Sequence, residues 1–236
     1  MTGFSASMPP AYALAFSASE IAEHVQIVAR RGAQLAHAEV WTGRAGARVC
    51  LVAEDRPGLL ALVTDALLVH GLSIRSALVY CRQRADGKTE ALDFFELRQA
   101  KSSEVGFQID TSELTAWVQT LVELVAEDIA AADRISARPA AGGAVTRVYF
   151  ELEALRRGEA ILLVEAPDTD GLLNAITNAL HAQAVRIVAS EIRTEDNTAH
   201  DRFELASRDG QALTAVRLCD IQQAVLAALP APAARR

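Results

Sequence analysis

The chain contains one stretch twice, and that duplication limits what it can fold into more than any other feature. Residues 49–60 read VCLVAEDRPGLL, and residues 160–173 read AILLVEAPDTDGLL. At one constant offset Asp55 falls on Asp168, Gly58 on Gly171, Leu59 and Leu60 on Leu172 and Leu173, Thr64 on Thr177, Leu67 on Leu180, and Ile74 on Ile187. After a shorter turn in the second copy the match resumes, LDFFEL at residues 92–97 meeting HDRFEL at residues 200–205. A repeat of this length is a whole domain rather than a solenoid unit, so the chain reads as two tandem copies of one fold.

Within the first copy a short β-rich apolar run stops at Glu54-Asp55-Arg56-Pro57-Gly58, and a leucine-rich amphipathic segment follows at once. A strand therefore turns into a helix through one tight corner. The first turn of a helix carries N–H groups without intrahelical acceptors and the positive end of the macrodipole, which suits a carboxylate. Pro57 fits such a first turn, and Gly58 lets a ligand or another backbone approach closely. Asp55 and Asp168 are candidate helix N-caps, and equally candidate partners for a ligand's ammonium. In the second corner Thr169 and Asp170 replace Arg56 and Pro57, adding negative charge where an anion would bind.

The pattern predicts for the first copy strands near residues 38–41 and 47–53, a helix over 59–70, strands over 72–81 and 91–97, and a helix over about 110–129. The second copy repeats this with strands over 145–152 and 160–165, a helix over 171–183, strands over 185–194 and 199–206, and a helix over 213–229. Ahead of both, residues 1–10 are small, polar and Pro-ended and are expected to be poorly ordered. Ser17-Ala18-Ser19-Glu20 then has the form of a capping box opening a helix to about Leu35, with His24 as a surface or packing residue. The expected divisions are 1–37 for the start and this helix, 38–137 for the first domain, 138–144 for a Pro/Ala/Gly linker and 145–236 for the second.

The hydrophobic strand, Asp-x-Pro-Gly and Leu-Leu of the first corner resemble the signature of the ACT domain, a small ligand-sensing α+β fold. Tyr12, Phe16-Ser17, Glu20-Ile21 and His24, added to the two corners, are similar to the tandem ACT region of the uridylyltransferases that modify the nitrogen-signalling PII protein. The resemblance implies two ferredoxin-like βαββαβ domains with antiparallel sheets and an added N-terminal helix. Here each copy reads β, β, α, β, β, α, an order rotated by one strand, so either the second copy's leading strand over 145–152 closes the first domain, leaving the strand near 38–41 to complete the second, or the two copies exchange strands. The resemblance further implies a non-enzymatic sensor of a small amino acid, glutamine foremost, bound between the corner of one domain and the second strand of the other. The residues so implicated are Glu54, Asp55, Arg56, Pro57, Gly58, Leu59, Leu60, Ser73, Ile74 and Ser76 with the first copy, and Asp168, Thr169, Asp170, Gly171, Leu172, Arg186 and Ile187 with the second.

Composition narrows the alternatives. A formal charge of −7 without a basic, aromatic-interleaved cluster argues against nucleic acid as a partner, and no apolar run approaches the ~20 residues of a membrane span. A cytoplasmic location follows as an expectation. Cys50, Cys81 and Cys219 are three and widely spaced, which fits neither a disulfide framework nor a CxxC site. His200-Asp201 spells a metal-phosphohydrolase dipeptide, but it lies in a strand, lacks further ligands, and its aspartate repeats Asp93, so no metal, cofactor or catalytic residue is assigned. The rival readings are an ACT-fold interaction module without a ligand and a thiol-dependent enzyme. Edge strands left open by a four-stranded sheet predict pairing of the copies within the chain, or a homodimer; no protein partner is identifiable.

Overall fold

The computed structural model describes residues 2–43, 46–69, 71–99, 112, 115–116 and 146–229. They form a mixed α+β structure around a single antiparallel sheet of eight strands: β1 Ala36–Gly43, β2 Gly46–Glu54, β3 Leu72–Gln83, β4 Thr89–Gln99, β5 Arg147–Phe150, β6 Ala160–Pro167, β7 Val185–Glu195 and β8 Thr198–Ser207. The helices are α1 Thr2–Ala6, α2 Pro10–Ala15, α3 Ala18–Arg31, α4 Leu59–Val69, α5 Leu152–Arg156, α6 Leu172–Ala182 and α7 Ala215–Ala228. The expected helix over 110–129 lies outside the described residues except at 112, 115 and 116, and the linker at 138–144 lies outside them entirely. None of the described helices is long and apolar enough to cross a membrane.

The strand order is β1-β2-β4-β3-β7-β8-β6-β5. Each half thus has its repeated strands in the same order, outer edge to centre, and the halves join where β3 meets β7. In that seam Leu78 lies opposite Glu191, its own repeat equivalent, so a pseudo-twofold axis passes between the two strands. Neither arrangement expected from the rotated order forms: the second copy's leading strand does not close the first half, and the copies do not exchange strands. Each leading strand stays with its own half, β1 on β2 from Ala36↔Ala53 to Gly43↔Gly46 and β5 on β6. Only two residues separate β1 from β2, and so short a connection between strands can only close an antiparallel hairpin.

One face of the sheet carries α4, α6 and α7. Eight of the described residues of α4, including Leu59, Leu62, Val63 and Leu67, are buried, as a helix held between a sheet and a second helix requires. At the α4–α6 contact the equivalent hydroxyls of Thr64 and Thr177 stand 3.3 Å apart on the pseudo-twofold. Each is satisfied locally, Thr64 donating to the Ala61 carbonyl at 2.9 Å and Thr177 to that of Leu173 at 2.9 Å. Two segments differ from expectation. Residues 1–10 hold α1 and the start of α2, with Met8 buried, because Phe4 stacks edge-on to Tyr12 and lies under the Arg82 guanidinium. Residue 152, expected to end a strand, instead begins α5.

The opposite face of the first half is covered by α1–α3. Tyr12, Phe16, His24, Trp41 and Phe94 form one aromatic cluster, and His24 has no exposed surface. Burial pulls the His24 pKa down to about 4, so the imidazole is neutral and its Nδ1 is matched by the Tyr12 hydroxyl at 2.7 Å. It is a packing histidine. A buried ion pair of Arg31 with Glu90, 2.8 Å, ties the end of α3 to β4. The capping box is present: the Ser17 N–H donates to Glu20 Oε2 at 2.8 Å and the Glu20 N–H to Ser17 Oγ at 3.4 Å. Ser17→Ala is expected to cost about 1 kcal/mol in urea unfolding, and a change below a few tenths would deny the cap any role.

Candidate functional site

The two corners have one geometry. Gly58 and Gly171 both take φ of +83°, a region closed to most side chains, and the helices begin at the next residue. The Leu59 N–H donates to the Arg56 carbonyl and the Leu172 N–H to that of Thr169, at 3.0 and 3.1 Å. Pro57 therefore precedes the helix as part of a turn rather than occupying its first turn. Nor do the aspartates cap: Gly171 holds the N-cap position with no side-chain bond, while Asp55 and Asp168 are anchored through their own N–H groups to Thr89 and Asn197, each at 2.9 Å. Their carboxyls are left for other partners.

Each corner is completed by the other half. A cavity of about 240 Å³ is lined by Asp55, Arg56, Pro57, Gly58, Leu59 and Leu60 of the first corner, and by His181, Val185, Arg186 and Ile187 from the end of α6 and the start of β7. A smaller one, about 30 Å³, is lined by Asp168, Thr169, Gly171 and Leu172 of the second corner with Leu68, Leu72, Ser73 and Ile74. The correspondence extends to single atoms: a Cβ on Gly58 would lie 2.6 Å from His181 Nδ1, and one on Gly171 would lie 3.6 Å from Leu68 Cδ1, His181 and Leu68 being repeat equivalents. Three residues singled out from the sequence fall outside both cavities. Glu54 turns to Lys88 and Arg56, at 3.0 and 3.4 Å. Ser76 lies beyond a bulge between Ile74 and Ser76 that reverses the alternation, so it reaches the opposite face of the sheet and donates to Glu96 at 2.9 Å. Asp170 is exposed, so it does not supply the negative charge expected inside the second corner.

The sequence reading missed the cavity floors. Asp93 and Asp201, 1% and 2% exposed, sit in the middle of β4 and β8 among the apolar residues that face the helices. The repeat alignment carried the signal: an aspartate in the same register of two otherwise apolar strand faces. Asp93 Oδ1 has no hydrogen-bond partner, and burial, with the nearby Asp55 charge, pushes its pKa well up. Burial also raises Asp55, against the pull of Arg186 and of the Cys81 thiol. Cys81 lines the same cavity and donates to the Ile187 carbonyl at 3.4 Å; burial pushes its thiol up, which makes it a donor rather than a nucleophile. At the rim Arg208 donates to His181 Nδ1 at 2.8 Å, and Arg56 and Arg186 complete a cationic mouth. No group of three metal-ligating side chains occurs among the described residues.

The first cavity thus has carboxyls inside and guanidinium groups outside. Leu60 and Ala61, whose N–H groups lie in the first turn of α4 where no intrahelical acceptor exists, border it as well. Such an arrangement is complementary to a small zwitterion. No family model matches the chain. The chain is similar to a bifunctional uridylyltransferase/uridylyl-removing enzyme of Phenylobacterium zucineum, 28% identical over 232 residues, and to those of two Caulobacter vibrioides strains, 26% identical over 251 residues. These alignments take in 94% and 99% of this chain but 24% and 26% of the relatives, so the chain spans about a quarter of their length.

Proposed function

We propose that the chain is a regulatory, non-catalytic pair of ACT-type domains that binds a small amino acid in the first cavity. The single observation that carries this reading is a strand-to-helix corner whose half-buried aspartate lines an open cavity closed by the other half. The strand order supports the ACT assignment, since the strands of each half stand in the ferredoxin-like order, with the leading strand where the last strand would be. The ligand's ammonium meets Asp55, with Asp93 behind it. Its carboxylate meets the first-turn amides of α4 and the arginines at the mouth. The relatives named above, and the likeness to PII uridylyltransferases, make glutamine the first ligand to test.

Calorimetric titration with glutamine and the other common amino acids tests the reading, and a saturable heat from at least one is the expected result. Losing a charge-assisted hydrogen bond costs roughly 1.5–3 kcal/mol, so Asp55→Asn should weaken binding by tens of fold. Asp168→Asn should change the affinity far less. If no amino acid binds, or if Asp168→Asn is the more damaging change, the assignment of the first corner fails.

A further inference from the structure

The corners are copies, yet a different group stands opposite each aspartate. The Asp168 side chain is 6% exposed, and its Oδ2 lies 2.7 Å from Nη2 of Arg98, which reaches across from the far end of β4 in the other half. Arg98 pairs in the ladder with Ser73, a wall residue of the second cavity, and its side chain is 37% exposed. That cavity is small, about 30 Å³, and on its floor neither carboxyl oxygen of Asp201 has a hydrogen-bond partner. In the first corner the position equivalent to Arg98 is Ala206, which pairs in its ladder with Arg186. Arg186 attracts Asp55 without forming an ion pair with it, and the open cavity lies beside them.

We infer that the chain binds one ligand rather than two, because Arg98 already fills the second corner as a built-in cation, and the ligand's ammonium at Asp55 takes the place that this guanidinium holds at Asp168. The inference rests on the amino-acid reading of the first cavity. An exposed ion pair would brace the halves weakly, but here the carboxylate is buried, and removing its cation leaves a charge without a partner. Arg98 ties β4 of the first half to the second corner at all times. The ligand supplies the matching tie between the first corner and β7 only when it is bound, so occupancy completes the brace on both sides of the pseudo-twofold.

Two measurements on the full chain test this. Titration of the wild type with glutamine is expected to give one site per chain; two equivalent sites would overturn the inference. In thermal melts Arg98→Ala should unfold several degrees below wild type, and millimolar methylguanidinium should restore most of that loss while leaving the wild type unmoved. Arg98→Ala combined with Asp168→Asn should lose the response. An Arg98→Ala protein that melts like wild type, or that methylguanidinium does not rescue, overturns the inference. Should Arg98→Ala not fold, Arg98→Gln, which removes the charge and keeps most of the bulk, is measured in its place with the same two outcomes. If the wild type binds no amino acid, the reading of the first cavity falls, while the melts still decide what Arg98 does.

Discussion

Valine at position 58 is expected to abolish amino-acid binding, by more than 100-fold, while the chain still melts cooperatively. Gly58 has φ of +83°, and a Cβ there would stand 2.6 Å from Nδ1 and 2.7 Å from Cε1 of His181. A β-branched residue adds two methyl groups in the same direction, into the cavity and against the ring. The imidazole must move, and its contact with Arg208 goes with it. A non-glycine residue in this backbone region costs about 1–3 kcal/mol, which for a chain of this size is a loss of several degrees in melting temperature rather than unfolding. The core stripe of α4 is untouched, because Val63 and Leu67 pack in the core and do not line the first cavity. Calorimetry beside a thermal melt separates the two effects. Wild-type affinity in Gly58→Val would place the ligand elsewhere. The matching change, Gly171→Val, meets only Leu68 at 3.6 Å and should leave binding intact.

Asp201→Asn is expected to stabilise the protein, by roughly 2–4 kcal/mol at pH 8 and by almost nothing near pH 4. Burial, reinforced by the charge of Asp168, pushes the Asp201 pKa up to about 8. In the unfolded chain the same carboxyl titrates near about 4. Between those values the unfolded state has released the proton and the folded state has kept it. Stability therefore falls with rising pH, by up to about 1.4 kcal/mol per unit, until the folded value is passed. This contribution is fully present below the unfolded value and lost above the folded one. Asparagine has no proton to release and removes the dependence, although its amide still needs partners in a buried place, which keeps the gain below the full linkage figure. Urea unfolding of both proteins at pH 5, 7 and 9 measures it. Asp93 titrates in the same sense, so the quantity that decides is the difference between the two proteins. Parallel stabilities across the three pH values would mean that Asp201 is not buried as a neutral acid.

Much of the fold was legible because it is written in local chemistry. The apolar run at residues 49–53, that of α4, and glycine at 58 and 171 each act within a few residues of chain, and the repeat shows each signal twice. The capping box at Ser17 was readable for the same reason. What failed were places where distant segments meet. The segment at residues 1–10 looked polar and loose because nothing local says that Tyr12 and Arg82 wait to pack on Phe4. Ser76 was placed in the site by the ACT resemblance, and one bulge puts it on the other face.

By itself the sequence determined the duplication, the position of both corners, the aspartate in each, and the glycine conformations that make the turns possible, since all of these are properties of contiguous residues. Only the tertiary structure decided which strand completes which half, that β3 and β7 fuse the halves into one sheet, and that the corners differ in what they hold. The last of these follows from packing across the pseudo-twofold. Asp55 and Asp168 have the same local surroundings, and they are told apart by Arg98 and His181, side chains from the opposite half whose reach no repeat alignment records.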